Sequence, residues 1–577
     1  MPREEGSCRC LLLDFPTSYL ADSAVMLKRK LTTLLEQAAA EARREGMIPQ
    51  IELPDITVEH PQNAAHGDYA SSLPLKLAAN ARLNPLEIAE RITRFIPPTP
   101  EVEKVVVARP GFINFTLTSH WLAQQVDSIL EAGEMFGNVG LGGGLKVQLE
   151  FVSVNPTGPL HVGHGRGAIL GDTLSNVLRA AGYSVQKEYY VNDAGTQMEA
   201  FYRSLYARYL QAFGLSAEIP PDGYHGEYVT QISREIVAEK GDIFCRLPEP
   251  RAVAEIGQIG LSKVLDSIRS DLALLGVHFD VWFSERSLYE GGQYQKAMSL
   301  LRDRGYVTER EGAVWFSSSE MGDDRDNVLV RASGAPTYFA SDVAYHYNKF
   351  EERRFDKVID IWGADHQGHV PRMKAVLRAL GLDPSRLEVI ITQMVTLKRG
   401  DSEVKVSKRS GEMVTLRELV EEVGADACRF VFLSRSADSQ MDFDLELAKK
   451  QSADNPVYYV QYAHARIASI LRLARQRGID FGHGDVALLT SGPELALIRK
   501  MLELPELVEV VAERLEPHQL PYFAQDLATT FHSFYKQCRV IPNDTALTAA
   551  RLKLVEAARI VFSRVLHLMG MTAPERM

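Results

Sequence analysis

Two histidines, His161 and His164, stand in the run His161-Val162-Gly163-His164, where an extended segment gives way to a helical pattern. Imidazole N–H groups at such a place can donate hydrogen bonds to phosphoryl oxygens as charge develops there. The open amides and dipole of a helix N-terminus favour the same oxygens. Gly163 carries no Cβ, so a flat base can come close to the backbone. With 15 histidines and 41 glycines in 577 residues, roughly 0.03 such matches arise by chance. A zinc site is the rival use of paired imidazoles, but no further ligand accompanies this pair. A second candidate lies well downstream in Lys405–Gly411 (KVSKRSG), where two lysines flank a serine in a polar loop. Mobile ammonium groups can follow a triphosphate as pyrophosphate departs, although a solvated basic loop is the plainer reading of that stretch alone.

These groups need a scaffold, and the surrounding pattern supplies one. The β-branched, apolar run VQLEFVSV has strand length and ends in an Asn-Pro-Thr-Gly-Pro turn. Beyond it Ile169, Leu170, Leu174, Val177, Leu178 and Ala181 recur with a helical period, and Gly182 suits a C-terminal stop. SVQKEYYVND then reads as a second strand. Strand–helix–strand of this length is a βαβ unit, which predicts a Rossmann-like, doubly wound parallel sheet with the histidines at the carboxyl end of a strand. The stretch from about Thr196 to Leu275 reads as mostly helical, and strands return in KVIDIWGADHQG and LEVIITQMVTL.

Upstream, a helix from Met26 to about Gly46 is followed by β-like runs in QIELPDITVEH and VEKVVVARPGFINFTL, with HGDYASSLPLKLAA between them. Downstream of DNPVYYVQYAHARI only helical periods remain. The fold class expected is therefore multidomain α/β. Residues 1–25 form an N-terminal extension and 26–140 an α+β module. Residues 141–435 form the sheet domain, with a helical insertion at about 196–290, and 436–577 an all-α domain. The glycine-rich Gly137–Lys146 segment is the joint between the first two folded parts.

Composition bounds the rest. Hydrophobic residues at 45% and charged residues at 24% are ordinary globular values. No apolar run is long enough for a membrane span, and the N-terminus lacks the features of a secretory signal. The five cysteines (Cys8, Cys10, Cys245, Cys428 and Cys538) include no C-x-x-C pair, which suits a reducing cytoplasm. Cys8 and Cys10 alone make a poor metal site. A net charge of −11 argues against a broad basic nucleic-acid surface, not against a local one.

The histidine pair and the lysine loop together resemble the two signatures of class I aminoacyl-tRNA synthetases, in the right order. EFVSVNPTGPLHVGHGRGA, YVNDAGTQM, APTYFASDVAYH, WGADHQGHV, VSKRSGEMVTL and DNPVYYVQYAHARI narrow the resemblance to the arginyl-tRNA synthetase family, from about Leu27 to Met577. The resemblance implies ATP-dependent activation of L-arginine and its transfer to the 3′ end of tRNA-Arg. It gives His161, His164, Lys405 and Lys408 catalytic roles. It places Pro156, Gly158, Gly163, Gly363, Asp365, Val406 and Ser407, with His161, His164 and Lys408, around ATP and its magnesium. It assigns Glu150, Ser153, Asn155, His164, Tyr338, Asp342 and His366 to the amino acid. Among these, Asp342, ahead of Glu150, is expected to face the guanidinium, whose planar donors are best held by carboxylates, with the Tyr338 ring walling the pocket. A helix N-cap for Asp342 and an exposed strand position for Glu150 are the plainer alternatives.

Arg409 replaces the final serine of the lysine signature and Val406 its methionine. Gly424–Phe430 (GADACRF) is similar to the run that names the DALR anticodon-binding domain, with Cys428 in place of leucine. Tyr458, Tyr459 and Tyr462 are candidates to stack on unpaired anticodon bases, or simply to pack. No tightly bound metal or organic cofactor and no membrane are implied, and a cytoplasmic monomer is expected. The family further implies activation that requires bound tRNA, and the insertion is too short for a typical large editing domain. A small-molecule nucleotidyltransferase would need neither the helical tail nor the lysine loop. A cysteinyl enzyme would show zinc-ligating cysteines.

Overall fold

The computed structural model of the chain describes residues 24–400, 402–404, 414–541 and 544–577. The lysine-loop candidates Lys405, Val406, Ser407, Lys408 and Arg409 lie outside the described residues, as do Cys8, Cys10 and residues 1–23. At the centre is a five-stranded, all-parallel sheet. Its strands run, in spatial order, Leu387–Thr392, Lys357–Gly363, Lys146–Glu150, Ser184–Val191 and Val281–Ser284. Val147, Gln148 and Leu149 of the middle strand are all fully buried, as a parallel strand covered on both faces requires.

The expected strand–helix–strand unit is present. Its helix spans Val162–Ala180, and Ile169, Leu170, Leu174, Val177 and Leu178 are buried. Gly182 takes φ +87° and the helix ends there, its amide donating to Arg179 O at 3.0 Å. Gly171 is where this helix presses on the sheet, since a Cβ there would lie 2.2 Å from the Phe151 ring. Gly171→Ala therefore forces helix and strand apart. It is expected to destabilise the domain by about 1–3 kcal/mol, read as a lower midpoint in thermal or urea unfolding.

Thr196–Ala212, Glu227–Lys240 and Glu249–Leu274 form the helical insertion between the fourth and fifth strands in spatial order. Three features differ from the sequence reading. LEVIITQMVTL is two strands, because the chain leaves the central sheet at Gln393. Val395–Arg399 pairs instead with Ser402–Glu403 and Met441–Asp444. A three-stranded antiparallel sheet, Val307–Arg310, Ala313–Phe316 and Asn327–Val330, precedes the Tyr338 helix. Its four-residue strands are too short to give a legible alternation. QIELPDITVEH contributes only the Glu59–Ala70 bridge, and Pro54, with no amide to donate, interrupts any ladder.

The described chain divides into two compact units. The first comprises residues up to 139, Arg466–Glu506 and Thr529–Arg564. It holds the antiparallel sheet of Tyr69–Ser71, Phe112–Leu117 and Val102–Ala108. Within this unit, HGDY is a structural clasp. Tyr69 Oη donates to the buried Glu506 at 2.7 Å, and Asp68 accepts from Leu117 N at 2.7 Å and from Arg499.

The second unit comprises Gly140–Ala465, Leu507–Ala528 and Val565–Met577. It contains the central sheet and the Ala425–Leu433 helix with the DALR-like run. Arg429, buried, donates to Leu275 O at 2.7 Å, Met569 O at 2.8 Å and Asp172 Oδ2 at 2.5 Å, while Asp426 accepts from Thr572 N at 3.1 Å. The name-giving residues thus tie the C-terminal segment to the sheet domain. After the short Met441–Asp444 strand the chain is helical, in Pro456–Gln476, Gly492–Arg514, Gln519–Gln537 and Thr545–Leu568. Among the described residues no helix is long and apolar enough to cross a membrane.

Candidate active site

All five central strands point their carboxyl ends the same way, and most of the sequence-derived site residues follow those ends. The middle strand stops at Glu150. Val152 and Ser153 then take φ of +70° and +41°, a left-handed conformation that is strained for a β-branched residue. Tyr190 N donates to Ser153 Oγ at 3.0 Å, so this hydroxyl fixes the kink to the neighbouring strand. Asn155, exposed, donates to Gln197 Oε1 at 2.6 Å. Pro156 is buried, and Gly158 packs where a Cβ would meet the Tyr228 ring at 3.3 Å.

His161 is the N-cap of the following helix, and the rings of His161 and His164 lie 3.5 Å apart. His161 N donates to His164 Nδ1 at 3.2 Å, which leaves the proton of a neutral His164 on Nε2. Burial, with His161 beside it, pushes His164 down to about 3, and burial lowers His161 as well. Both are therefore neutral hydrogen-bond donors near neutral pH. Gly163 also leaves room for the pair, since a Cβ there would sit 3.2 Å from the His161 ring. The backbone of His161 forms an antiparallel bridge with Thr415, and Leu416 N donates to Leu160 O at 2.8 Å. The histidine segment is thus bound directly to the chain that resumes after the lysine run.

Tyr338 opens the Tyr338–Tyr347 helix, and its hydroxyl lies 3.9 Å from where a Gly195 Cβ would be. Thr337 is the N-cap, so Asp342 stands inside the helix, one turn beyond Tyr338. Glu150 is buried rather than strand-exposed. Asp342 is pushed up to about 8, first by burial and then by Glu150, Glu285 and Asp360, against the pull of Lys349. Among the described residues it has no ion-pair partner, whereas Glu150 accepts from Lys349 Nζ at 2.6 Å. Asp342 is the acid left open. Gly363 ends its strand, followed by Asp365 and His366 on the Ala364–His369 turn. Both are exposed and stand 3.4 Å apart.

Tyr458, Tyr459 and Tyr462 lie elsewhere, on the Pro456–Gln476 helix, and all three are half-buried. The Tyr458 and Tyr462 rings stack at 6.0 Å. Tyr458 lines a cavity of about 480 Å³ with Asp426, Lys449, Lys450 and Thr572.

Sequence reasoning passed over three charged residues that stand next to these groups in the chain or in the fold. Glu285 follows the edge strand, is 3% exposed, and is raised to about 7 by burial, with Asp193 adding to the push against a Ser341 hydrogen bond. Its strand, VWFS, is too short to signal itself. Arg166, fully buried on the same helix as His164, donates to Gln393 O and Ser439 O, both at 2.8 Å, and to Ser436 O at 2.7 Å. Lys349 sits in NKFEERRFD, which reads as a solvated charge run.

A parallel sheet with an H-x-G-H helix N-terminus at its carboxyl edge defines a class I aminoacyl-tRNA synthetase catalytic domain. The model of the class I (R) catalytic domain matches residues 125–468, that of the arginyl-tRNA synthetase N-terminal domain 29–117, and that of the DALR anticodon-binding domain 460–577. An arginine–tRNA ligase of Dehalococcoides mccartyi is 57% identical over 556 residues, covering 96% of this chain and all of the relative. One from Moorella thermoacetica is 50% identical over 554 residues, covering 95% of this chain and 99% of the relative. The solved Thermus thermophilus arginyl-tRNA synthetase shares the fold, with a TM-score of 0.75 at 23% identity, covering 96% of this chain and 100% of that one. The chain belongs to the arginyl-tRNA synthetase family.

Proposed function

We propose that this enzyme, a cytoplasmic monomer, activates L-arginine with ATP as its magnesium complex and passes it to tRNA-Arg. The arginine carboxylate attacks the α-phosphorus while the bond to the bridging oxygen of the leaving pyrophosphate breaks. A ribose hydroxyl at the tRNA 3′ end then attacks the adenylate carbonyl and AMP departs. No residue becomes covalently attached, so positioning and electrostatics carry the rate.

The observation that supports this reading is a neutral histidine pair at the helix N-terminus beyond the middle strand, together with an unpaired, half-buried carboxylate beside Glu150 and Glu285, where two of the parallel strands end. His161 and His164 donate to the phosphates, backed by the helix N-terminus that Pro156, Gly158 and Gly163 shape. Lys405 and Lys408, with Val406 and Ser407 around them, steady the departing charge. Support comes from the run that carries them: it is followed by Thr415, which bridges His161. Asp342 receives the guanidinium, Tyr338 walls the pocket, and Glu150, Ser153, Asn155 and His366 complete it. Asp365 with Gly363 receives the ribose. Tyr458, Tyr459 and Tyr462 meet the anticodon arm.

Arginine must meet a carboxylate, and burial with the neighbouring acids pushes Asp342 up to about 8. A raised pKa means that the proton is held below that pH and must leave on binding. KM for arginine is therefore expected to fall, by about tenfold per unit at the acid end, as pH rises from 6 towards 8, and to level above it. Steady-state aminoacylation across that range measures it. The reading as a whole is tested by aminoacylation of bulk tRNA with each of the twenty amino acids. Arginine alone should be charged; charging of another amino acid, or of none, overturns it.

A further inference from the structure

The helix that carries Tyr338 and Asp342 does not end regularly. Asn348–Glu352 continues it as a π-helical turn, a departure that tends to occur where a side chain must be re-aimed for function. The side chain re-aimed here is Lys349. It is fully buried, and its ammonium donates to Glu150 Oε2 at 2.6 Å and Asp360 Oδ1 at 2.8 Å, lying 4.2 Å over the Tyr345 ring. The two acids come from neighbouring strands, Lys146–Glu150 and Lys357–Gly363, and face each other in register. Asp360 Oδ2 also meets His346 Nε2 at 3.0 Å. The other nitrogen of that ring, Nδ1, lies 2.8 Å from the backbone oxygen of Asp342. A continuous polar chain therefore runs from Glu150 through Lys349, Asp360 and His346 to the residue left open in the pocket.

Burying an ammonium costs stability unless excellent geometry offsets it, and an apolar core would do as well for folding alone. Burial works against the charge on Lys349, but Asp360 and Glu150 outweigh it and hold the ammonium protonated. Without that charge, Glu150 and Asp360 would repel each other and Asp342 across a small buried space. Glu150 would then turn away, two residues before the strained Val152–Ser153 kink.

We propose that Lys349 is a positioning residue for arginine recognition. It fixes the Glu150 carboxylate at the pocket's base and cancels one buried negative charge, so that the guanidinium meets a single open acid, Asp342. This rests on the functional reading above, and wild-type arginylation is the control that separates the two. If the wild-type enzyme does not charge arginine, that reading fails.

Given an active wild type, Lys349→Met and the double variant Lys349→Met/Asp360→Asn are assayed for aminoacylation with arginine and ATP varied in turn. The double variant removes one charge of each sign and keeps the net buried charge, so it decides the matter where the single variant does not fold. Both are expected to raise KM for arginine by about tenfold or more while KM for ATP stays within about twofold. Three results overturn the proposal: KM for arginine within twofold of wild type in a folded variant, a parallel rise in both KM values, or full recovery in the double variant. The last would mean that charge burden alone, not the hold on Glu150, produced the effect.

Discussion

Asp342→Asn is expected to raise KM for arginine by about 100- to 1,000-fold, the cost of leaving one partner of a desolvated charge pair unmatched. Among the described residues this carboxylate has no ion-pair partner, and an amide of the same shape keeps the helix but offers a donor where the proposed contact needs an acceptor. KM for ATP should change little, because Asp342 lies on the Tyr338–Tyr347 helix and the histidines on another. The pH dependence of KM for arginine should vanish with it, since no proton then leaves position 342 on binding. A variant that keeps that dependence would place the titrating group elsewhere, with Glu285 the next to examine.

His164→Ala is expected to lower the rate of arginine-dependent ATP–pyrophosphate exchange, measured with cognate tRNA present, by about 100- to 1,000-fold, the usual scale for losing one preorganised donor to a developing charge. The loss should fall on kcat more than on KM for arginine. Because burial and His161 push His164 down to about 3, kcat should show no step near pH 6.5 belonging to it. The neutral imidazole holds its proton on Nε2, oriented by the bond that His161 N makes to its Nδ1. His164→Gln, which retains an N–H donor at similar reach, should recover part of the rate. His164→Asn, too short to reach, should not.

The parts of the fold with long periods were legible in the chain. The Val162–Ala180 helix announces itself by its apolar stripe and its glycine stop, and the β-branched runs on either side give the parallel sheet. Four-residue strands such as Val281–Ser284 and Ala313–Phe316 leave no such trace, because two inward residues cannot establish an alternation. The break at Gln393 is invisible for another reason. Both halves of LEVIITQMVTL are strands, and only long-range pairing decides that they belong to different sheets.

The site divides in the same way. His161, His164, Asp365 and His366 lie in short local motifs, and the structure sets all four at the carboxyl edge of the sheet. The family resemblance put Asp342 ahead of Glu150, but nothing in the residues themselves said why. Glu150 and Asp342 look alike in sequence, and what separates them is Lys349, brought to Glu150 by a π-turn that a charged, surface-like run conceals. Charge pairing between distant segments is a property of the folded chain, and so is the buried perch of Glu285.

The most direct measurement is an experimental structure of the enzyme with a non-hydrolysable arginyl-adenylate analogue. A guanidinium nitrogen should stand about 3 Å from the Asp342 carboxylate, with the phosphate mimic against His161 and His164 and Glu150 still held by Lys349. A bound analogue whose guanidinium points away from Asp342, or whose phosphate mimic lies clear of both imidazoles, would contradict the account.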